Sequence, residues 1–200
     1  MSQTQVVFDI GGVLIDWQPY RAFLAATGSR AEAEAFITRT GFLAINARAD
    51  NGERFGDMAA ELDDPSDQAL LRGYVAKFAQ TVPDAITGTW EILDALKTRG
   101  TPVHAITNWS DETWPEGLKA HPRLGAVFET LVVSGRERLI KPDPAIFHLF
   151  CDRAGASPEH CLFIDDTPKN VDGAGDVGMD AIHFTGPAAL RRALVSRGLL

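Results

Sequence analysis

The chain has 200 residues, 45% hydrophobic and 23% charged, which suits a globular protein with one sizeable core or a core plus a small accessory domain. Lys and Arg number 19 against 27 Asp and Glu, a formal charge of -8 that argues against a nucleic-acid partner but leaves room for a small anion held by local cations. No apolar run approaches the roughly 20 residues of a membrane span, and MSQTQVVFDIGG has neither a basic leader nor a signal-like core, so no membrane association and a cytoplasmic location are expected.

In chain order, Val6, Val7 and Phe8 bring a β-branched and aromatic run to Asp9, and Gly11 and Gly12 then turn the chain. The pattern predicts a buried strand with a carboxylate at its C-terminal mouth, where open parallel sheets bind ligands. The plainer alternative is an aspartate that merely ends a strand before a Gly-Gly turn. Val13 to Asp16 read as a short return of chain.

From Tyr20 to about Gln80 the sequence is Ala-rich and lacks strand-like alternation. Helices are expected over Tyr20 to Ala26, Ala31 to Thr40, Arg54 to Glu61 and Ser66 to Gln80, with Ser29 capping the second and Ser66 the fourth. Each is too short to stand alone, so together they predict a compact helical insertion.

Beyond Gly88 the rhythm changes. Trp90, Leu93 and Leu96 give helical spacing to Thr89 to Lys97, and strands are predicted at Pro102 to Thr107, Glu129 to Ser134, Cys161 to Asp165 and Ala181 to Thr185. Helices over Pro144 to Ala154, Lys169 to Gly175 and Pro187 to Arg197 alternate with them. The fold class is therefore α/β, a doubly wound, mostly parallel sheet with helices on both faces. A core of residues 1–16 and 86–200 would carry a small α-helical cap, 17–85, at a surface loop. Cys151 and Cys161 read as reduced, buried thiols, since no second CxxC-like pair accompanies them.

Asp9, Thr107 with Asn108, Lys141, and Asp165 with Asp166 each lie at or just after an apolar strand or in its following loop. A parallel sheet would bring them to one edge. There Asp9 could attack phosphorus or carbon and form a covalent intermediate. Lys141 could orient it and balance charge, while Thr107 and the backbone N–H of Asn108 hold an oxygen of the reacting group. Asp165 and Asp166 are hard oxygen ligands of the kind Mg2+ prefers. Plainer readings stand beside these: Lys141 in a solvated KPDP loop, Thr107 and Asn108 as a turn or cap, and two aspartates whose repulsion is offset by hydrogen bonds or water.

FDIGG, ITNWS, the KPDP loop and FIDDTPKN, in that order across almost the whole chain, resemble the motifs of the haloacid dehalogenase-like superfamily, especially its small phosphatase-like members with a helical cap. The resemblance implies a Rossmannoid core and Mg2+-dependent phosphoryl transfer from a small phosphorylated metabolite, through an aspartyl phosphate. It implies Asp9 as nucleophile, Thr107 and Lys141 as phosphate-positioning groups with Asn108 beside them, and a metal held by Asp9, the Gly11 carbonyl and Asp166, with Asp165 assisting directly or through water. A homodimer is compatible with the sequence without being indicated by it.

One position departs from that pattern. Many phosphatases of the family carry a second aspartate where this chain has Gly11, and glycine cannot exchange a proton. A sugar-1-phosphate, with its good leaving group, would need less help; water or a cap residue could also supply it. The departure keeps two rivals open: a 2-haloacid dehalogenase, whose halide leaves without protonation, and a weakly active or non-enzymatic phospholigand-binding protein. In the cap, Arg48 either contacts a substrate or faces solvent, and Trp109 either packs beneath the cap or lines the pocket.

Overall fold

The computed structural model describes residues 4–200, so the first three residues of the expected core segment lie outside the described residues. Its main sheet is formed by β1 (Gln5–Phe8), β4 (Val103–Thr107), β5 (Leu131–Val133), β6 (Cys161–Asp165) and β7 (Asp180–His183). Every pairing is parallel and the spatial order is β5-β4-β1-β6-β7. Both β4 and β6 are buried along their whole length; β6 carries the apolar run that such a position demands, and β4 does so apart from buried His104 and Thr107.

The two faces divide the hydrophobic residues with the two-residue period of a strand. Val6, Phe8, Leu162 and Ile164 pack with Ile92, Leu93 and Leu96 of the Thr87–Thr98 helix and with Leu190 and Leu194 of the Pro187–Ser196 helix. Val7, Ile106 and Phe163 pack on the other side with Ile146, Phe147 and Phe150 of the Pro144–Ala154 helix and Ala174 of the Pro168–Asp176 helix. Both faces of the expected doubly wound sheet are thus covered. Cys151 and Cys161 are free and buried. Among the described residues no helix is long and apolar enough to cross a membrane.

The return after Gly12 becomes β2 (Ile15–Asp16), which pairs antiparallel with β3 (Asp84–Ala85) in a two-stranded ribbon. The ribbon ties the outgoing chain to the returning one at the neck of the helical insertion. Within the insertion Phe23, Phe36, Phe42, Phe55 and Tyr74 are fully buried and form a chain of aromatic contacts, with ring centroids 4.5 to 6.5 Å apart. This aromatic cluster, rather than helix propensity, gives the short cap helices their stability.

Several expected elements differ in detail. The sequence does not predict the Phe42–Asp50 helix, because Asn46 and Asp50 interrupt its apolar face and Gly41, at φ 63°, ends one helix while beginning the next. Trp114–Ala120 is a second unanticipated helix. The expected Tyr20 to Ala26 helix is a 3-10 turn followed by Leu24–Thr27, stopped by left-handed Gly28. The expected Ser66 to Gln80 helix is divided at Gly73 into Pro65–Arg72 and Tyr74–Lys77. Its cap is Asp64, whose carboxylate accepts from the Ser66 N–H at 2.7 Å, with Pro65 as the first helical residue; Ser29 caps its helix as expected.

Phe42 touches Phe23, Phe55 and Tyr74. Phe42→Ala is expected to cost about 3 to 5 kcal/mol in urea unfolding. A loss below about 1 kcal/mol would mean that the cap does not fold cooperatively around this cluster.

Candidate active site

Strand register brings distant chain segments to one edge. Phe8 pairs with Ala105 on one side and Ile164 on the other, so Asp9, Thr107 and Asp165 emerge together at the C-terminal ends of β1, β4 and β6. Asp9 is fixed twice by backbone groups: its N–H donates to the Ile164 carbonyl at 2.8 Å, and its Oδ1 accepts from the Ile10 N–H at 2.7 Å. Gly12 follows with φ 74°, and a Cβ there would collide with the Asp166 carboxylate, so glycine is what lets these two loops approach.

Lys141 is almost fully buried among these ends. Its Nζ lies 2.9 Å from Asp9 Oδ1 and 2.6 Å from Asp165 Oδ2, and it donates to the Ile106 carbonyl at 2.9 Å. An ammonium has three donors, and all three are used. Asn108 clasps the backbone that carries it: the Lys141 N–H donates to Asn108 Oδ1 at 2.9 Å, and Asn108 Nδ2 donates to the Lys141 carbonyl at 3.1 Å. From sequence, Asn108 offered only its own N–H, because the clasp joins residues 33 positions apart.

Burial alone would favour a neutral amine, but Asp9 and Asp165 outweigh it and hold Lys141 above its ordinary value. Burial pushes the Asp9 carboxyl up against the pull of Lys141. These tendencies oppose each other within one pair, and the 2.9 Å contact together with the Ile10 N–H favours the ionised carboxylate. Partial desolvation of its carboxyl and the charge of Asp165 push Asp166 up, although the residue as a whole is exposed.

The carboxylates of Asp9, Asp165 and Asp166 offer ligand atoms within 4.8 Å of one another. Asp165 is already well supplied, accepting from Lys141, from the Thr167 N–H at 2.8 Å and from Asn170 Nδ2 at 3.1 Å. Asp166 stands exposed at the same edge. Three carboxylates facing one ammonium leave an excess of negative charge that a divalent cation offsets, so this donor set fits a hard metal. Thr107 Oγ1 is buried with no protein hydrogen-bond partner among the described residues.

A cavity of about 480 Å³ opens above this edge. Asp9, Gly11, Asn108 and Asp166 line its floor; Leu43, Asn46, Ala47 and Asp50 of the Phe42–Asp50 helix form the cap wall, and Trp17, Phe78, Val82 and Trp109 close the sides. Lys169 is the cation among the lining residues, on the core side. Trp109 does both things foreseen for it, packing on Phe78 and Trp114 while lining the cavity. Arg48 pairs with Glu53 and Glu61 at the surface and does not line it.

Two further residues join this site: Ser134, a polar strand end in the sequence whose partners the sequence does not show, and Asp50, which carried no sequence signal. Ser134 Oγ accepts from the Trp109 N–H at 2.9 Å and donates to the Asp50 carbonyl at 2.5 Å, fastening core to cap. The Asp50 carboxyl accepts from Asn46 Nδ2 at 2.9 Å and from the Ser110 N–H, and burial pushes it up to about 7. Only the unforeseen helix places Asp50 in the cavity.

A family model for haloacid dehalogenase-like hydrolases matches residues 4–178. The (S)-2-haloacid dehalogenase 4A of Burkholderia cepacia is 30% identical over 115 residues, 58% of this chain but 47% of that protein. The chain thus spans about half the length of that relative. Fructose-1-phosphate phosphatase YqaB of Escherichia coli (strain K12) is 25% identical over 88% of this chain and 94% of its own length. Among solved structures, a HAD family enzyme of Bacteroides thetaiotaomicron in complex with magnesium and inorganic phosphate has a TM-score of 0.70 at 22% identity, covering 92% of this chain and 95% of that one; at this identity the likeness is one of fold.

Lys141→Met leaves two buried carboxylates without their cation and is expected to cost about 3 to 5 kcal/mol in urea unfolding. An unchanged midpoint would show that the ammonium does not hold the strand ends together. The pH dependence of metal binding follows from Asp166. Its folded value lies above its unfolded one, so its contribution to stability is present below about pH 4 and is lost as pH rises through the folded value. A cation offsets that loss by binding the ionised form. Mg2+ should therefore raise the melting temperature more at pH 8 than at about pH 4, near the ordinary carboxylate value, and an equal rise at both would contradict this assignment.

Proposed function

The chain belongs to the haloacid dehalogenase-like hydrolase family, and from that premise we propose that it is a Mg2+-dependent phosphatase acting on a small phosphomonoester through an aspartyl phosphate on Asp9. The observation that carries this reading is the distribution of charge in the cavity. Asp9, Asp166 and Lys169 line its core side, with the buried Lys141–Asp165 pair behind Asp9, whereas its cap wall of Leu43, Asn46, Ala47 and Asp50 contains no cation.

A phosphate ester suits that division. Its negative oxygens belong at the floor and its neutral alcohol belongs against the cap. A 2-haloacid carries a carboxylate next to the reacting carbon, and the cap wall would meet it with Asp50 instead of an arginine or lysine. Asn46 and Asp50 supply partners for hydroxyl groups, while Trp17, Phe78 and Trp109 cover an apolar face, which suits a small sugar phosphate. The likeness to the E. coli fructose-1-phosphate phosphatase over nearly its whole length points the same way.

In this reading Asp9 attacks phosphorus, held in line by the Ile10 N–H and Lys141. Thr107 Oγ1 and the Asn108 N–H hold an oxygen of the transferring group. Asp9, the Gly11 carbonyl and Asp166 would hold Mg2+, and Asp165 keeps Lys141 in place beside them. When bound, the ion neutralises charge on the phosphoryl oxygens. The cap keeps bulk water from the reacting centre.

The purified protein should release phosphate from sugar phosphates or 4-nitrophenyl phosphate with Mg2+, lose that activity in EDTA, and lose at least about 10³-fold in kcat on Asp9→Asn. Chloride release from 2-chloropropionate without phosphate release would replace this reading with dehalogenation. Saturable binding of phosphate esters without any product would replace it with a non-catalytic role.

A further inference from the structure

Gly11 removes a proton donor from the floor of the site, and the chemistry of a phosphate monoester still asks for one when the departing alcohol is a poor leaving group. The space around Gly11 is open: a Cβ built there meets nothing within 4 Å. The cavity therefore leaves room for a donor that approaches from above.

Three carboxyl side chains line this cavity. Asp9 and Asp166 belong to the floor, and the third, Asp50, comes from the cap. Its carboxyl is 8% exposed as a residue and has no ion-pair partner among the described residues. Two donors hold it, Asn46 Nδ2 at 2.9 Å and the Ser110 N–H, while its backbone carbonyl is fastened by Ser134 Oγ at 2.5 Å. A merely structural carboxylate in such surroundings gains nothing from being an acid, since an amide would accept the same hydrogen bonds.

We propose that Asp50 is the general acid and base of this phosphatase, delivered from the cap in place of the side chain that Gly11 lacks. The inference rests on the phosphatase reading. In the first half-reaction an Asp9 oxygen bonds to phosphorus, the bond from phosphorus to the ester oxygen breaks, and that oxygen takes the proton of Asp50 and departs as an alcohol. In the second, water attacks the phosphorus of the aspartyl phosphate and gives its proton to Asp50. The bond from phosphorus to Asp9 breaks, returning the Asp9 carboxylate, protonated Asp50 and inorganic phosphate.

The electrostatic setting suits that cycle. Burial raises the Asp50 carboxyl to about 7, against the lowering pull of the Ser110 N–H and the Lys141 charge. On the elements packed against its helix, Arg30 pairs with Glu34, Arg39 with Asp67, Arg136 with Asp111 and Glu137 with Arg153, while Glu32 and Asp57 are exposed acids without an ion pair among the described residues. On its own helix Arg48 is held by Glu53 and Glu61. Because Ser110 and Ser134 both belong to the core, the acid is aligned only when the cap is seated.

The test measures kcat/KM in the Mg2+-loaded enzyme for an alkyl phosphate and for 4-nitrophenyl phosphate. Asp50→Asn should slow the alkyl ester by about 10²-fold and the activated ester far less. The same variant should show a burst of nitrophenolate, because hydrolysis of the aspartyl phosphate loses its base. Gly11→Asp in the Asp50→Asn background should restore the alkyl rate, and turnover of the activated ester reports that each variant is folded. A loss equal on both esters, or no loss on either, overturns the role of Asp50 while leaving phosphatase activity intact. Absence of phosphate release by the unmodified enzyme removes the phosphatase reading itself, and this inference with it.

Discussion

The structure turns on one buried ammonium. Lys141 sits between Asp9 and Asp165 with each of its protons directed at an oxygen, two of them carboxylate and one the Ile106 carbonyl. A lysine so deeply buried would be costly without those partners, and the carboxylates would be costly without it. Strand ends, clasping amide and turn are thereby coupled. Parallel register sets Asp9 and Asp165 side by side, Asn108 fixes the backbone from which Lys141 reaches them, and Gly12 admits Asp166 to the same edge. Loss of any one of these changes the electrostatic balance of the others.

That balance also organises the cavity. Lys141 alone does not neutralise the three clustered carboxylates, and with Lys169 at the rim the core side suits an added positive charge and the anionic oxygens that charge would attract. The opposite wall is neutral or acidic, with aromatic sides, and suits the uncharged part of a ligand. A polar floor and a more apolar roof let one small pocket separate the reacting group from the portion that confers selectivity.

Core and cap meet through specific contacts, among them the Phe55 N–H on Glu112 and the Phe78–Trp109 ring pair. The β2–β3 ribbon joins the two crossings of the chain, and Ser134 links the loop after β4 to the last residue of the Phe42–Asp50 helix. These contacts explain how an insertion stabilised by its own aromatic cluster still holds a definite position over the sheet. They also place a protonatable group from the cap within the electrostatic reach of Lys141.

The main sheet was legible because β1, β4 and β6 are buried on both faces, and largely apolar runs ending in Asp9, Thr107 and Asp165, broken only by His104 in β4, follow from that requirement. The convergence of these residues with Lys141 follows from parallel pairing and the crossover rule. Sequence alone therefore determined the fold class and the acidic edge. The tertiary structure decided the division of labour within that edge, because the Asn108 clasp, the saturation of Asp165 and the Ser134 bridge join residues far apart in the chain. It also decided the place of Asp50: a carboxyl at the end of an irregularly patterned helix has no readable surroundings until aromatic packing folds the cap over the sheet.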